Sequence, residues 1–130
     1  MSLNDPLSNA LSNALNADKV GKKEITVYPV SNLIKGVLEV MNQSNYVGST
    51  ELIRDVKGDS IRLNLLGNLN NCKAIKPRFS VKRDGYEKFE KRFLPAKDFG
   101  ILIVSTSKGL MTHTDAKKNS LGGKLLAYCY

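Results

Sequence analysis

The stretch Gly100–Lys118, "GILIVSTSKGLMTHTDAKK", decides the fold of the second half of this chain. Its unbroken apolar run, Ile101–Val104, predicts a buried strand. A row of hydroxyl residues, Ser105–Ser107, follows without a spacer and leads directly into Lys108 and Gly109. The pattern therefore predicts a buried strand with a polar turn at its end.

The residues after this turn predict the rest of a small sheet. A second short strand is expected near Leu110, and a short helix fits "THTDAKKNS". The last segment, "GGKLLAYCY", is rich in apolar and aromatic residues and predicts a terminal strand. We therefore expect a mainly antiparallel β region with one short helix.

The first half alternates helix and strand patterns. Asp5 and Pro6 are typical of an N-cap and a first helical position, and apolar residues then recur at helical spacing. The segment "KEITVYPV" predicts a short strand that stops at Pro29, and Ser31 is a candidate N-cap of a second helix. Two strands joined by a turn at residues 57–59 complete this half.

The predicted fold class is α+β in two parts. We expect an N-terminal helix-strand-helix-strand-strand subdomain over residues 1–67 and a C-terminal, basic, β-rich subdomain over residues 68–130. The N-terminal apolar residues are spaced, unlike those of a signal peptide or a membrane span. We therefore expect a cytoplasmic protein that has no membrane partner.

The positive charge of the chain lies in one half. Residues 1–72 contain seven Lys/Arg and seven Asp/Glu, whereas residues 73–130 contain thirteen and five and hold the whole net charge of +8. One-sided basicity favours a polyanionic partner, because phosphate contacts release counterions. The alternative is a solvated surface that only keeps the protein soluble.

The segment from residue 73 to residue 97 mixes cations with aromatic residues. Its candidate phosphate contacts are Lys76, Arg78 and Lys82. Aromatic rings and Arg planes can stack on RNA bases, and Tyr86, beside Gly85 in a predicted turn, is the favoured aromatic candidate. The alternative, which we favour for Phe89 and Phe93, is that the phenylalanines pin an extended segment onto the body of the domain.

The row of hydroxyls suits a binding turn. Hydroxyls are both donors and acceptors, which matches the 2′-hydroxyls and base edges of an RNA minor groove. Lys108 would add a phosphate contact, and Gly109, Gly122 and Gly123 would let the backbone approach a sugar-phosphate surface. The alternative is that the hydroxyls end a strand and satisfy local backbone groups.

The sequence contains no pattern that supports catalysis or metal binding. "SLGGKLL" departs from a phosphate-binding loop at both ends, and the carboxylates are scattered. His113 is the single histidine, so a serine nucleophile has no other base, and we interpret it as a helix-cap or surface residue. Cys72 and Cys129 lie far apart and are expected to be buried thiols, so we predict no cofactor and no metal.

The opening stretch resembles the signature of a universal family, that of the eighth small-subunit ribosomal protein. The signature requires spaced glycines, aliphatic pairs, a Ser-Thr pair, and an alanine before a basic residue. It is met by Gly100, Ile103, Val104, Ser105, Thr106, Gly109, Leu110, Met111, Ala116 and Lys117. The likeness extends to "DPLSNAL" and "SNLIKGVLEVM". The segment "KPRFSVKRDGYEKFEKRFLPAKDFG" resembles the archaeal and eukaryotic branch, and its "GYEKFEKRFLPA" portion is more similar to archaeal members.

The resemblance implies a structural, non-enzymatic constituent of the small ribosomal subunit. Such a protein binds the central domain of small-subunit ribosomal RNA directly, helps its assembly, and has other small-subunit proteins as neighbours. The alternative is a translational repressor that binds its own mRNA through the same surface. The resemblance implies that the irregular core of an RNA stem is contacted by Ser105, Thr106 and Ser107, with Lys108 nearby and Tyr86 and Gly123 at the rim.

One departure from the family pattern concerns the residue after the glycine pair. Many members have an acidic residue there, whereas this chain has Lys124. Because lysine suits a phosphate contact, we count Lys124 and the neighbouring Gly122 among the candidate RNA-binding residues.

Overall fold

The structure is a computed structural model that describes residues 6–28, 31–96 and 99–130. It divides the chain into two compact units, Met1–Asn71 and Cys72–Tyr130. Both units combine helices with antiparallel strands, so the α+β prediction is confirmed. The predicted Asp5 cap and the Pro29 stop lie outside the described residues.

The first unit contains two helices and a three-stranded sheet. Its elements are α1 (Pro6–Lys19), β1 (Glu24–Val27), α2 (Asn32–Gln43), β2 (Val47–Ile53) and β3 (Ser60–Leu65). The strand order is β1-β3-β2, with antiparallel pairing throughout. The predicted order of elements is therefore confirmed.

Apolar stripes hold the helices of the first unit in place. Ser31 caps α2, since its side chain accepts a hydrogen bond from the backbone N–H of Ile34 at 3.2 Å. One face of α2 is fully buried, which matches its helical apolar spacing.

Asp18 holds the segment after β3 in place. Its carboxylate accepts hydrogen bonds from the backbone N–H groups of Gly67 at 2.9 Å and Leu69 at 3.0 Å.

The second unit is an antiparallel sheet with two short helices. Its elements are β4 (Cys72–Ala74), β5 (Ser80–Val81), α3 (Tyr86–Phe93), β6 (Ile101–Thr106), β7 (Gly109–Thr112), α4 (His113–Lys118) and β8 (Gly123–Cys129). The strand order is β4-β8-β6-β7, and β5 also pairs with β8. Strands β6, β7 and β8 and helix α4 confirm the prediction for the last third of the chain.

Helix α3 was not predicted from the sequence. Its residues read as an extended segment with a turn at Tyr86, yet Tyr86–Phe93 is helical. Tyr86 and Phe89 enter one apolar cluster with Val104 of β6 and Leu125 of β8. The helix exists because its aromatic residues, spaced three and four apart, lie on one face and cover the sheet.

Candidate nucleic-acid interface

Strand β6 carries the row of hydroxyls to the end of the sheet. It lies between β7 and β8, and its residues Ile101–Val104 are buried. Ser105 and Thr106 are half-buried, and Ser107 and Lys108 are exposed. We call residues Ser105–Gly109 the hydroxyl turn. The hydroxyl turn is therefore held at one side by a central, buried strand.

Thr106 closes the hydroxyl turn from inside the protein. Its Oγ1 accepts a hydrogen bond from the backbone N–H of Lys108 at 3.1 Å and donates to the carbonyl oxygen of Gly109 at 2.8 Å. Gly109 has a φ of +110°, which L side chains rarely adopt. For Thr106, therefore, the hydroxyl satisfies local backbone groups, as the alternative interpretation expected.

Ser105 and Ser107 differ from Thr106. Neither side chain forms a hydrogen bond with any other residue in the described ranges. Ser105 lies opposite Lys124 on β8, and Lys124 lies opposite Ser80 on β5. Residues opposite one another point to the same face of a sheet, so two hydroxyls flank one exposed cation.

Contacts within the protein explain why positions 122 and 123 are glycines. A Cβ on Gly122 would stand 2.6 Å from the carbonyl oxygen of Val81, and one on Gly123 would collide with the carbonyl oxygen of Ser105. Both glycines are therefore required for close strand packing. A Cβ on Gly109 would meet nothing within 4 Å, so among these three only Gly109 faces open space.

The candidate cations lie at the same end of the sheet as the hydroxyl turn or along the neighbouring edge. Lys108 and Lys124 are exposed, on the hydroxyl turn and on β8. Lys82 is exposed directly after β5, and its Cα is 3.2 Å from where a Gly122 Cβ would be. Lys76 and Arg78, also exposed, lie between β4 and β5 along the edge of β8. The fold thus brings Lys82, Lys108 and Lys124 from separate segments to the end of the sheet that carries the hydroxyl turn, whereas Lys76 and Arg78 lie along its edge.

Tyr86 is a correction to the predicted interface. Its side chain is 1% exposed, and its hydroxyl donates to the carbonyl oxygen of Leu121 at 2.8 Å. Burial raises the pKa of Tyr86 above its ordinary value. The ring is part of the core and cannot stack on an RNA base in this conformation.

Comparison with known families identifies the chain at this point. The family model of ribosomal protein S8 matches residues 5–130. The chain belongs to the ribosomal protein S8 family. It is therefore a ribosomal protein of the small subunit that binds ribosomal RNA, and the resemblance predicted from the sequence is confirmed. Assignment to the archaeal and eukaryotic branch stays a prediction.

Membership of the ribosomal protein S8 family also bears on catalysis and location. The family is a structural one, and its place is the ribosome. Among the described residues, no helix is long and apolar enough to cross a membrane. The same part of the chain contains no group of three His, Cys, Asp or Glu residues placed to hold a metal ion.

A buried polar cluster joins α3, α4 and β6 and was missed from the sequence. His113 is 2% exposed, so the prediction of a cap or surface histidine is wrong. Its Nδ1 accepts from the backbone N–H of Leu102 at 3.0 Å, and its Nε2 lies 3.0 Å from Glu90 Oε1. Because Nδ1 is an acceptor, Nε2 carries the proton and donates to Glu90.

Lys117 completes this cluster and sets the charge of Glu90. Its Nζ donates to Glu90 Oε2 at 2.7 Å. Burial alone would raise the pKa of Glu90, but the hydrogen bond from Lys117 and the nearby His113 outweigh it and hold the pKa below its ordinary value. The cluster is a structural link between helices. Its members are distant in sequence and form no pair that sequence spacing reveals.

Proposed function

We propose that this protein binds the central domain of small-subunit ribosomal RNA through the hydroxyl turn and its surrounding cations, and that this contact helps the domain assemble. The observation that carries the proposal is the pair Ser105 and Ser107. Both hydroxyls lack a partner among the described residues and stand at the end of a buried strand in the basic half.

The chemistry of these groups fits an irregular RNA stem. A hydroxyl can donate to a base edge and accept from a 2′-hydroxyl, and the wide minor groove of RNA presents both. A rigid strand end loses little conformational freedom on binding, so more of the contact energy appears as affinity. Lys108 and Lys124 lie beside the serines and would contact phosphates, and such contacts position the RNA without reading its sequence.

The test is binding of the full chain to RNA fragments of equal length. We expect a stem from the central domain to bind at least about tenfold more tightly than a fragment of another domain or a plain duplex, a difference of about 1.4 kcal/mol. Equal affinities for the three RNAs would contradict the proposal. The assembly role is tested by chemical probing of the RNA during subunit reconstitution with and without the protein.

The same surface would serve a translational repressor of the protein's own message. RNA recovered with the chain from cells distinguishes the two roles. A ribosomal constituent recovers mainly ribosomal RNA, whereas a dedicated regulator recovers its message in preference.

A further inference from the structure

A series of aromatic rings packs against the face of the second unit's sheet that α3 covers. Phe79 and Phe89 have ring centroids 5.5 Å apart, Phe89 and Phe93 are 6.5 Å apart, and Phe93 and Tyr128 are 5.5 Å apart. Phe89 is buried, but the other three rings are only half-buried. The series is therefore partly exposed to solvent at Phe79, Phe93 and Tyr128.

Arg92 lies across the surface of this aromatic series. The centre of its guanidinium group is 5.0 Å from the ring centroid of Phe79 and 5.2 Å from that of Phe93. Arg92 is exposed, and no carboxylate in the described ranges forms an ion pair with it. We call Arg92 together with Phe79 and Phe93 the Arg92 platform.

The charges near the platform favour an anionic partner. Helix α3 carries three exposed cations, Lys88, Lys91 and Arg92, and one exposed acid, Glu87. The carboxylate of Glu87 already pairs with Lys91 at 3.6 Å. The second carboxylate of the helix, Glu90, is buried and held by Lys117. A planar cation such as Arg92, which pairs with no carboxylate of the described residues, can stack on nucleic-acid bases while attracting phosphates.

The platform and Ser105 lie on opposite faces of the sheet. Val104 packs in the apolar cluster with Phe89 of α3, and Ser105 follows it in β6. Because successive strand residues point to opposite faces, Ser105 faces away from α3. A stem held on the side of Ser105 therefore leaves the platform for RNA that lies beyond the stem.

We propose that the Arg92 platform stacks on an unpaired purine of the RNA next to the stem. A base inside a duplex has no open face, so a stacking surface requires an unpaired base. This inference rests on the proposed function for the identity of the RNA. The platform itself is tested separately with a single strand.

The probe is an oligoadenylate of about ten nucleotides that carries one 2-aminopurine, a length that spans a typical single-strand site. Stacking quenches the fluorescence of the 2-aminopurine. Arg92→Lys in the full chain keeps the charge but removes the planar group, so we expect quenching to be lost and affinity to fall at least about fivefold. Phe93→Leu should also lower the affinity for the oligoadenylate.

Arg83→Lys is the matched control, because Arg83 is an exposed arginine of the same unit that lies over no aromatic ring. It should bind the oligoadenylate like the wild type, and thermal melting should show that all variants are folded. Unchanged affinity and quenching in Arg92→Lys would contradict the proposal that the Arg92 platform stacks on a base.

The isolated stem separates this inference from the proposed function. Arg92→Lys should bind the isolated stem like the wild type. If the wild type did not prefer that stem, the proposed function alone would be overturned.

Discussion

Ser105 and Thr106 are adjacent hydroxyl residues, but we expect substitution of Ser105 to lower RNA affinity and substitution of Thr106 to lower stability. If Ser105 contacts RNA as proposed, Ser105→Ala should weaken binding of the cognate stem by about 1–3 kcal/mol, because the RNA group is left unpaired. Thr106 uses its hydroxyl within the hydroxyl turn. Thr106→Val should therefore lower the free energy of unfolding by about 1 kcal/mol, measured by urea denaturation.

A matched control for these variants is Thr114→Ala. Thr114 is an exposed hydroxyl residue on α4 in the same unit. Its substitution should change neither RNA affinity nor stability by more than about 0.5 kcal/mol. If Ser105→Ala bound the cognate stem like the wild type, the hydroxyl row would only be the end of a strand.

Glu90 makes the stability of the second unit depend on pH. Its pKa is lowered in the folded state, so its ionised form stabilises the fold above the ordinary carboxyl pKa, and this contribution is lost as pH falls through the lowered value. Glu90→Gln should lower the free energy of unfolding by about 1–3 kcal/mol at neutral pH. The difference from the wild type should shrink in acid.

Glu87→Gln is the control for the Glu90 variant. Glu87 pairs with Lys91, but its side chain is 79% exposed, so the pair contributes little. Urea denaturation of both variants across the acidic range is the measurement. A difference between Glu90→Gln and the wild type that stays constant with pH would show that the charge of Glu90 does not stabilise the fold.

At the scale of elements, the sequence predicts a strand or helix correctly where its apolar residues form one clear pattern. The run Ile101–Val104 and the segment "GGKLLAYCY" are strands because their apolar residues are continuous and bounded by turns. Helix α3 escaped prediction because charged residues dominate "YEKFEKRF" and hide the spacing of Tyr86, Phe89 and Phe93. The same spacing would have indicated a helix whose aromatic face is buried.

The candidate site was predictable only in part, for a related reason. The strand, the turn and its row of hydroxyl residues follow from local sequence. The reason for Gly122 and Gly123 lies in contacts with Val81 and Ser105, which only the folded sheet brings together. The same holds for the cluster of Glu90 and His113, because its members come from different helices.

Tyr86 provides a test of how α3 is attached. Tyr86→Phe removes the hydroxyl that reaches Leu121 in the segment before β8, and leaves that carbonyl without this donor. We expect a loss of about 1 kcal/mol in the free energy of unfolding, with RNA affinity unchanged. Reduced RNA affinity in a variant of normal stability would instead restore Tyr86 to the interface.

At the scale of the whole molecule, charge is the property that separates the two halves. The first 72 residues are balanced, and at least one of their cations is neutralised locally, since Arg62 pairs with Glu51 at 3.6 Å. The excess of +8 belongs to residues 73–130. We therefore expect the second half to supply most of the electrostatic attraction to RNA.

The salt dependence of RNA binding measures this division directly. If the basic half meets about five to eight phosphates, the logarithm of affinity should fall with the logarithm of salt concentration at a slope of about −4 to −6. Lys108→Ala should make the slope shallower by about one contact and weaken cognate and random RNA alike, because a phosphate contact carries no sequence information. Charge reversal at Lys82 should act in the same way.

Charge reversals at Arg54 and Arg62 are the matched variants in the first half. Both arginines are outside the basic half, so their reversal should leave the slope nearly unchanged. Affinity is measured over a series of salt concentrations with the cognate stem, after thermal melting has shown that each variant is folded. A slope that responds equally to Arg54 and to Lys108 would contradict the division, because long-range charge alone, rather than contact by the basic half, would then govern binding.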